Sequence, residues 1–272
     1  MRLAGPAAML DFALAPASDD ALAVRADPSA LACVGDLLFV AETTGAIVEY
    51  CGARHRRIAD LELVTTDTIG GIAHAPDGTL YVTRVGNGEA GAILRVDPAG
   101  QVRTLPWLPV APYRSGIAYD AAAHVLYTTQ YVKSRSGASE GAIVECDPDT
   151  GAPSMVLDGF LHPVAIAKLG SILVVTDARQ RAVFRVELSA GRAVRRLQLA
   201  TGLGRPYGVC GFDADSVIVS SRADDGAGEL HRIWLDGQTA QIARGSWDPR
   251  GVASDGASVF VATVGQLLSF RP

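Results

Sequence analysis

The residues of this chain best suited to chemistry are arginines, tyrosines and one histidine that stand beside prolines and glycines. Arg114 follows Tyr113, Arg205 and Tyr207 flank Pro206, Arg250 follows Pro249, and His162 precedes Pro163. Glu42, Arg84, Gln130, Asp177 and Arg222 each close a run of β-forming residues. A guanidinium grips a carboxylate or phosphate through two parallel hydrogen bonds. An imidazole that titrates near neutrality suits a general base, and a tyrosine hydroxyl can donate to developing negative charge. His162 and Tyr207, with Glu42 or Asp177 to orient the imidazole or act as acid, therefore form a candidate catalytic set. Arg84, Tyr113, Arg114, Gln130, Arg205, Arg222 and Arg250 form a candidate binding set for a small anionic or polyoxygenated molecule. A second reading needs no ligand: Arg–Asp pairs would tie neighbouring structural units together. Both readings fit the residue types.

These residues must be positioned by something, and the chain repeats. A small residue followed by a branched aliphatic and another small residue recurs at Ala30, Gly71, Gly116, Ala165, Gly208 and Gly251, with steps of 41, 45, 49, 43 and 43 residues. That is the period of a four-stranded propeller blade. Each copy continues through a turn such as Pro76-Asp77-Gly78 into a strand such as Leu80-Tyr81-Val82-Thr83, then an alternating third strand such as Ala92 to Asp97 and a weaker fourth. Alternating polarity with frequent turn signals marks an all-β chain, and no segment carries helical periodicity. The expectation is one domain over residues 1–272: a six-bladed β-propeller of four antiparallel strands per blade. The small residue opening each inner strand stands where six strands converge on a narrow axis. After Gly251 only three strands fit, so the N-terminal strand, at residues 21–25, is expected to complete the last blade and remove the open edge. Residues 1–20 form an unplaced extension.

In this architecture the loops entering the inner strands and leaving the second strands surround the mouth of the axis, the default pocket. All the candidate residues fall there. The Ser/Gly-rich stretch from Tyr131 to Gly141 is the longest insertion and reads as a loop able to cover the mouth. His55, His74, His124 and His231 lie away from it and read as structural or surface residues.

Composition narrows the partners. The net charge of −5 lacks the basic footprint of a nucleic-acid-binding protein. No apolar run is long enough to span a membrane. The apolar start is broken by Asp11 and prolines, unlike a signal peptide, and the reading is cytoplasmic. Cys33, Cys51, Cys146 and Cys210 show no zinc spacing, and Cys33 and Cys210 sit within apolar strands as small hydrophobes. Nucleophile-elbow, Walker and HExxH motifs are missing, and the three tryptophans form no repeat of a quinone-cofactor propeller. No cofactor is expected. The expected partner is a small-molecule substrate, with a non-catalytic propeller that holds a ligand or a protein as the alternative.

The six motif copies, from Asp27-Pro28-Ser29-Ala30-Leu31-Ala32 to Asp248-Pro249-Arg250-Gly251-Val252-Ala253, followed by Leu-Tyr-Val-like strands, resemble the calcium-dependent phosphotriesterase superfamily. That group holds the SMP-30/gluconolactonase, strictosidine-synthase-like and NHL-type propellers, and virginiamycin B lyase-like propellers are similar. The resemblance implies hydrolase or lyase chemistry in the central funnel. It also implies one axial divalent cation on Glu, Asn and Asp. Asp27, Ser115 and Tyr207 stand at those positions here, which leaves Asp27 as the single candidate ligand for a Ca²⁺ that wants about six to eight oxygens. The lyase pattern of a late His and Glu is not reproduced, since no His follows His231.

Overall fold

The computed structural model describes residues 27–64, 67–86, 91–108, 113–133 and 139–271. The expected N-terminal strand at residues 21–25 and the extension before it lie outside them. The described residues form twenty-three strands in six antiparallel sheets, with no α-helix among them and none long and apolar enough to cross a membrane. Blade 1 holds β1 (Pro28–Val34), β2 (Leu37–Glu42), β3 (Ala46–Cys51) and β4 (Arg54–Asp60). Blade 2 holds β5 (Ile69–His74), β6 (Leu80–Arg84), β7 (Ala92–Val96) and β8 (Val102–Thr104). Blade 3 holds β9 (Tyr113–Asp120), β10 (Val125–Lys133), β11 (Ser139–Cys146) and β12 (Pro153–Phe160). Blade 4 holds β13 (Pro163–Leu169), β14 (Ile172–Asp177), β15 (Ala182–Ser189) and β16 (Arg192–Thr201). Blade 5 holds β17 (Arg205–Gly211), β18 (Ser216–Arg222), β19 (Gly228–Trp234) and β20 (Thr239–Gly245). Blade 6 has three described strands, β21 (Pro249–Ser254), β22 (Val259–Thr263) and β23 (Gln266–Phe270).

The inner strands β1, β5, β9, β13, β17 and β21 neighbour one another in a closed ring. Their small residues are required there. A Cβ on Gly116 would lie 2.6 Å from the Ala165 Cα of the next blade, and one on Gly208 would lie 2.9 Å from the Val252 nitrogen. The axis that remains is a cavity of about 70 Å³, room for a few waters.

Each blade is covered on both faces, so its second strand reads as a continuous apolar run rather than an alternating one; Leu38 to Glu42 are all buried. Successive residues serve opposite neighbours: Phe39 packs toward blade 2 and Val40 toward blade 6. Six hydrophobic clusters result, one at each blade junction.

A hydroxyl on the second strand joins several junctions. The inner strands carry a β-bulge just before the small residue, which frees a backbone N–H from the ladder. In blade 4 the Thr176 Oγ1 accepts the Ala165 N–H at 3.1 Å and donates to the Tyr207 carbonyl of blade 5 at 2.9 Å. Thr129 repeats this with Gly116 N–H at 2.7 Å and the Val164 carbonyl at 3.3 Å, and Thr83 donates to the Ser115 carbonyl. Blades 1 and 6 carry Ala41 and Ala262 at that position and lack the hydroxyl.

Candidate functional site

Tyr113, at the head of β9, stacks on Tyr131 of β10 with ring centroids 4.7 Å apart and planes 7° from parallel. Tyr131 in turn meets the His162 imidazole at 4.0 Å. The Arg205 guanidinium of blade 5 lies 5.5 Å over the Tyr207 ring, close enough for its charge to act on Tyr131. Burial and the neighbouring Tyr113 raise the Tyr131 phenol despite that charge, so it stays protonated at neutral pH. Tyr207 and Arg250 line the axial cavity. Blades 3, 4 and 5 therefore present one aromatic and cationic wall at the predicted mouth, with His162 half-buried in it.

The loop carrying His162 is held by Asp177. This fully buried carboxylate accepts the backbone N–H groups of Leu161 at 2.7 Å, His162 at 3.1 Å, Arg179 at 3.0 Å and Gln180 at 2.9 Å, with the Gln180 amide at 3.0 Å. The His162 carbonyl accepts from Ala178 N–H at 2.9 Å. Asp177 thus shapes the loop and has its oxygens filled. Glu42, the matching residue of blade 1, is buried and accepts from Thr44 Oγ1 at 3.2 Å.

Several predicted binding residues join blades instead of facing the wall. Arg250 pairs with Asp27 at 2.8 Å and donates to the Pro28 carbonyl at 3.2 Å. Asp27 also accepts Gly265 N–H at 2.7 Å, so together they close blade 6 against blade 1. Burial alone would raise the Asp27 carboxyl, but the Gly265 and Arg250 contacts hold it below its ordinary value. Arg222 of blade 5 lies 3.4 Å from Asp248, which leads into blade 6, whereas Arg84 lies 3.6 Å from Asp67 at the head of its own blade.

Arg114 differs from its neighbour Tyr113 in direction. It sits opposite Gln130 in the β9–β10 register, on the face that packs against blade 2. It is fully buried, and none of its guanidinium nitrogens, nor the Gln130 Oε1, has a hydrogen-bond partner among the described residues. Burial depresses its pKa.

Tyr131 was not among the sequence-derived candidates. The stretch from Tyr131 to Gly141 is not one loop: β10 runs to Lys133 and β11 resumes at Ser139. The run of mostly aromatic, aliphatic and β-branched residues from Leu126 through Val132, which continues across Tyr131, was the available signal. Among the other histidines, His231 is buried beside Glu229 at 3.2 Å, His124 accepts or donates to Tyr119 at 2.7 Å, and His74 and His55 stack on Phe39 and Tyr50. The cysteines are free, and burial pushes the Cys33 thiol up to about 12 and that of Cys146 to about 11.

This architecture defines a six-bladed β-propeller whose structural neighbours include the regucalcin-like and virginiamycin B lyase propellers. Neither a family model nor a curated protein matches the sequence. Among solved structures, it is similar to a calcium-binding regucalcin of Agrobacterium tumefaciens at TM-score 0.69 and 14% identity, covering 94% of this chain and 93% of that one. A luciferin-regenerating enzyme gives TM-score 0.66 at 13% identity, covering 91% and 92%. A catalytically inactive virginiamycin B lyase of Staphylococcus aureus, with quinupristin, gives 0.56 at 13% identity, covering 95% and 98%. At these identities the likeness shows the fold.

The calcium position can be tested on the side chains themselves. Asp27 is engaged by Arg250, Gly265 and Thr43, Ser115 is buried, and Tyr207 lies under a guanidinium. No group of three or more His, Cys, Asp or Glu converges among the described residues. These residues do not fit a hard dication.

Proposed function

We propose that this chain is an enzyme of hydrolase or lyase type, acting on a small anionic metabolite at the wall built by blades 3, 4 and 5. The observation that carries this reading is the contact of the His162 imidazole with the Tyr113–Tyr131 pair, beside Arg205. The aromatic faces suit a flat or unsaturated part of the substrate, and the exposed Arg205 suits its carboxylate or phosphate. His162, in a loop fixed by Asp177, is the proton acceptor, and Tyr207 donates to negative charge that develops during reaction. The negative net charge supports a small-molecule partner over nucleic acid, and four unpaired thiols support a cytoplasmic location.

The test is turnover across a panel of lactones and unsaturated carboxylates. His162→Ala should abolish turnover of any substrate found while leaving the melting temperature within about 2 °C, as expected of a half-buried loop residue. Arg205→Ala should raise KM about tenfold with a smaller effect on kcat. A substrate turned over equally by wild type and His162→Ala would end this assignment. A second reading, a propeller that holds its ligand without transforming it, is favoured by Asp177, whose oxygens are spent on backbone N–H groups. Binding of the same anions without turnover would select it.

A further inference from the structure

A large cavity lies on the opposite face. A groove of about 780 Å³ runs between blades 3 and 4 at the far ends of their strands. Asp120, at its edge, stands seven residues along β9 from Tyr113, which places the groove about 20 Å from the aromatic wall. That volume is in the range of small-molecule sites, about 300–1,000 Å³. Its apolar lining comes from Val125, Leu188 and the Ala121–Ala123 turn, over the buried Tyr127.

The charges in this groove are unequal. Lys168 is already met by Asp120 at 2.7 Å, and both side chains are 14% exposed. Glu145, by contrast, has no cation within ion-pair distance among the described residues. Its neighbour is the Tyr127 phenol, which burial pushes up to about 12, with Glu145 adding to the shift. Tyr127 therefore remains a neutral donor beside the Glu145 carboxylate.

The other blades show how unusual this is. Glu145 faces Tyr127 across β10 and β11, and five residues hold the same register elsewhere: Glu49, Arg95, Arg185, Arg232 and Ser269. Each charged one is answered. Glu49 meets Arg56 at 2.6 Å, Arg95 meets Asp149 at 3.5 Å, Arg185 meets Glu187 at 2.9 Å, and Arg232 meets Asp213. Glu145 alone of the charged ones is left without a counter-ion among the described residues, and it lines the groove; Arg95 also lines a cavity, but it is met by Asp149. The rim beside it stays low: Ala190 and Gly191 both adopt positive φ, 49° and 75°, and a Cβ on Gly191 would come within 3.4 Å of Glu145 Oε2.

We propose that this groove is a second binding site, taking a small organic cation whose ammonium meets Glu145 and whose apolar body lies against Val125 and Leu188. A half-buried carboxylate with no counter-charge, walled by apolar side chains, selects a cation over a neutral or anionic molecule of the same shape. The site is independent of the reading given above for the aromatic wall.

The probes are benzylammonium, benzyl alcohol and benzoate, titrated calorimetrically into the full chain. Benzylammonium is expected to bind, with the alcohol and benzoate at least tenfold weaker. Glu145→Gln, which breaks no ion pair, should weaken benzylammonium at least tenfold and leave the melting temperature unchanged. Ser171→Trp, an exposed rim position, should block it sterically. His162→Ala should bind it as wild type does, which separates this site from the aromatic wall. Failure of benzylammonium to bind at millimolar concentration, or equal binding by Glu145→Gln, would overturn the proposal.

Discussion

The junctions within the ring and the junction that closes it are built differently. Blades 3 and 4, and blades 4 and 5, are joined by Thr129 and Thr176, fully buried hydroxyls that satisfy a bulged N–H and a carbonyl of the next blade at once. Blade 6 meets blade 1 through Asp27 and Arg250, an ion pair with side chains 35% and 28% exposed. A buried hydroxyl is irreplaceable because its loss strands two backbone groups away from water. A partly exposed ion pair can be replaced by solvent at either partner. The junctions of blade 3 with blade 4 and of blade 4 with blade 5 are therefore less sensitive to conditions than the closing one.

The comparison is broken most sharply by Thr176→Val, which keeps the shape and removes the hydroxyl. Stranding the Ala165 N–H and the Tyr207 carbonyl should cost about 2–3 kcal/mol, a fall of roughly 4–10 °C in melting temperature. A shift under 1 °C would show that the junction does not depend on that hydroxyl. Asp27→Asn should cost less, up to about 1 kcal/mol in dilute buffer, and the difference should vanish near 1 M salt, where screening acts within about 3 Å. The smallest effect is the pH dependence of that difference. The Asp27 carboxyl is held below its ordinary value in the folded chain. Its contribution is therefore complete above the unfolded value of about 3.9 and is lost as pH falls through the lower folded value. Wild type and Asp27→Asn should converge below about pH 4, read from urea midpoints across that range.

The ring itself was legible because geometry at the axis leaves few choices. Only glycine fits where Gly116 approaches Ala165, and the matching position of every inner strand is glycine or alanine, so the motif recurs at blade spacing. The turns and second strands follow from the same repeat. The candidate site was less legible, for reasons of direction and distance. Tyr113 and Arg114 are consecutive in one strand, so they face opposite neighbours; both sit at the mouth in sequence, yet only Tyr113 turns to the aromatic wall. Tyr131 was hidden by a Ser/Gly-rich stretch that follows it, although β-forming residues continue through it to Val132. Asp27 and Arg250 stand at opposite ends of the described chain, and pairing of that kind is set by closure rather than by any local pattern. Glu145 looked like any polar residue of an alternating third strand. Its missing counter-ion is visible only when six equivalent positions are laid side by side.

The width of the axis has a consequence for traffic. With about 70 Å³ between facing glycines and alanines, the centre of the ring is a plug rather than a passage. A cavity of that size holds waters but no metabolite, so the two faces carry separate sites. Two ligands on opposite faces can then occupy the protein together without competing for an entrance, and a product formed at the aromatic wall has to clear the mouth before the next substrate takes its place.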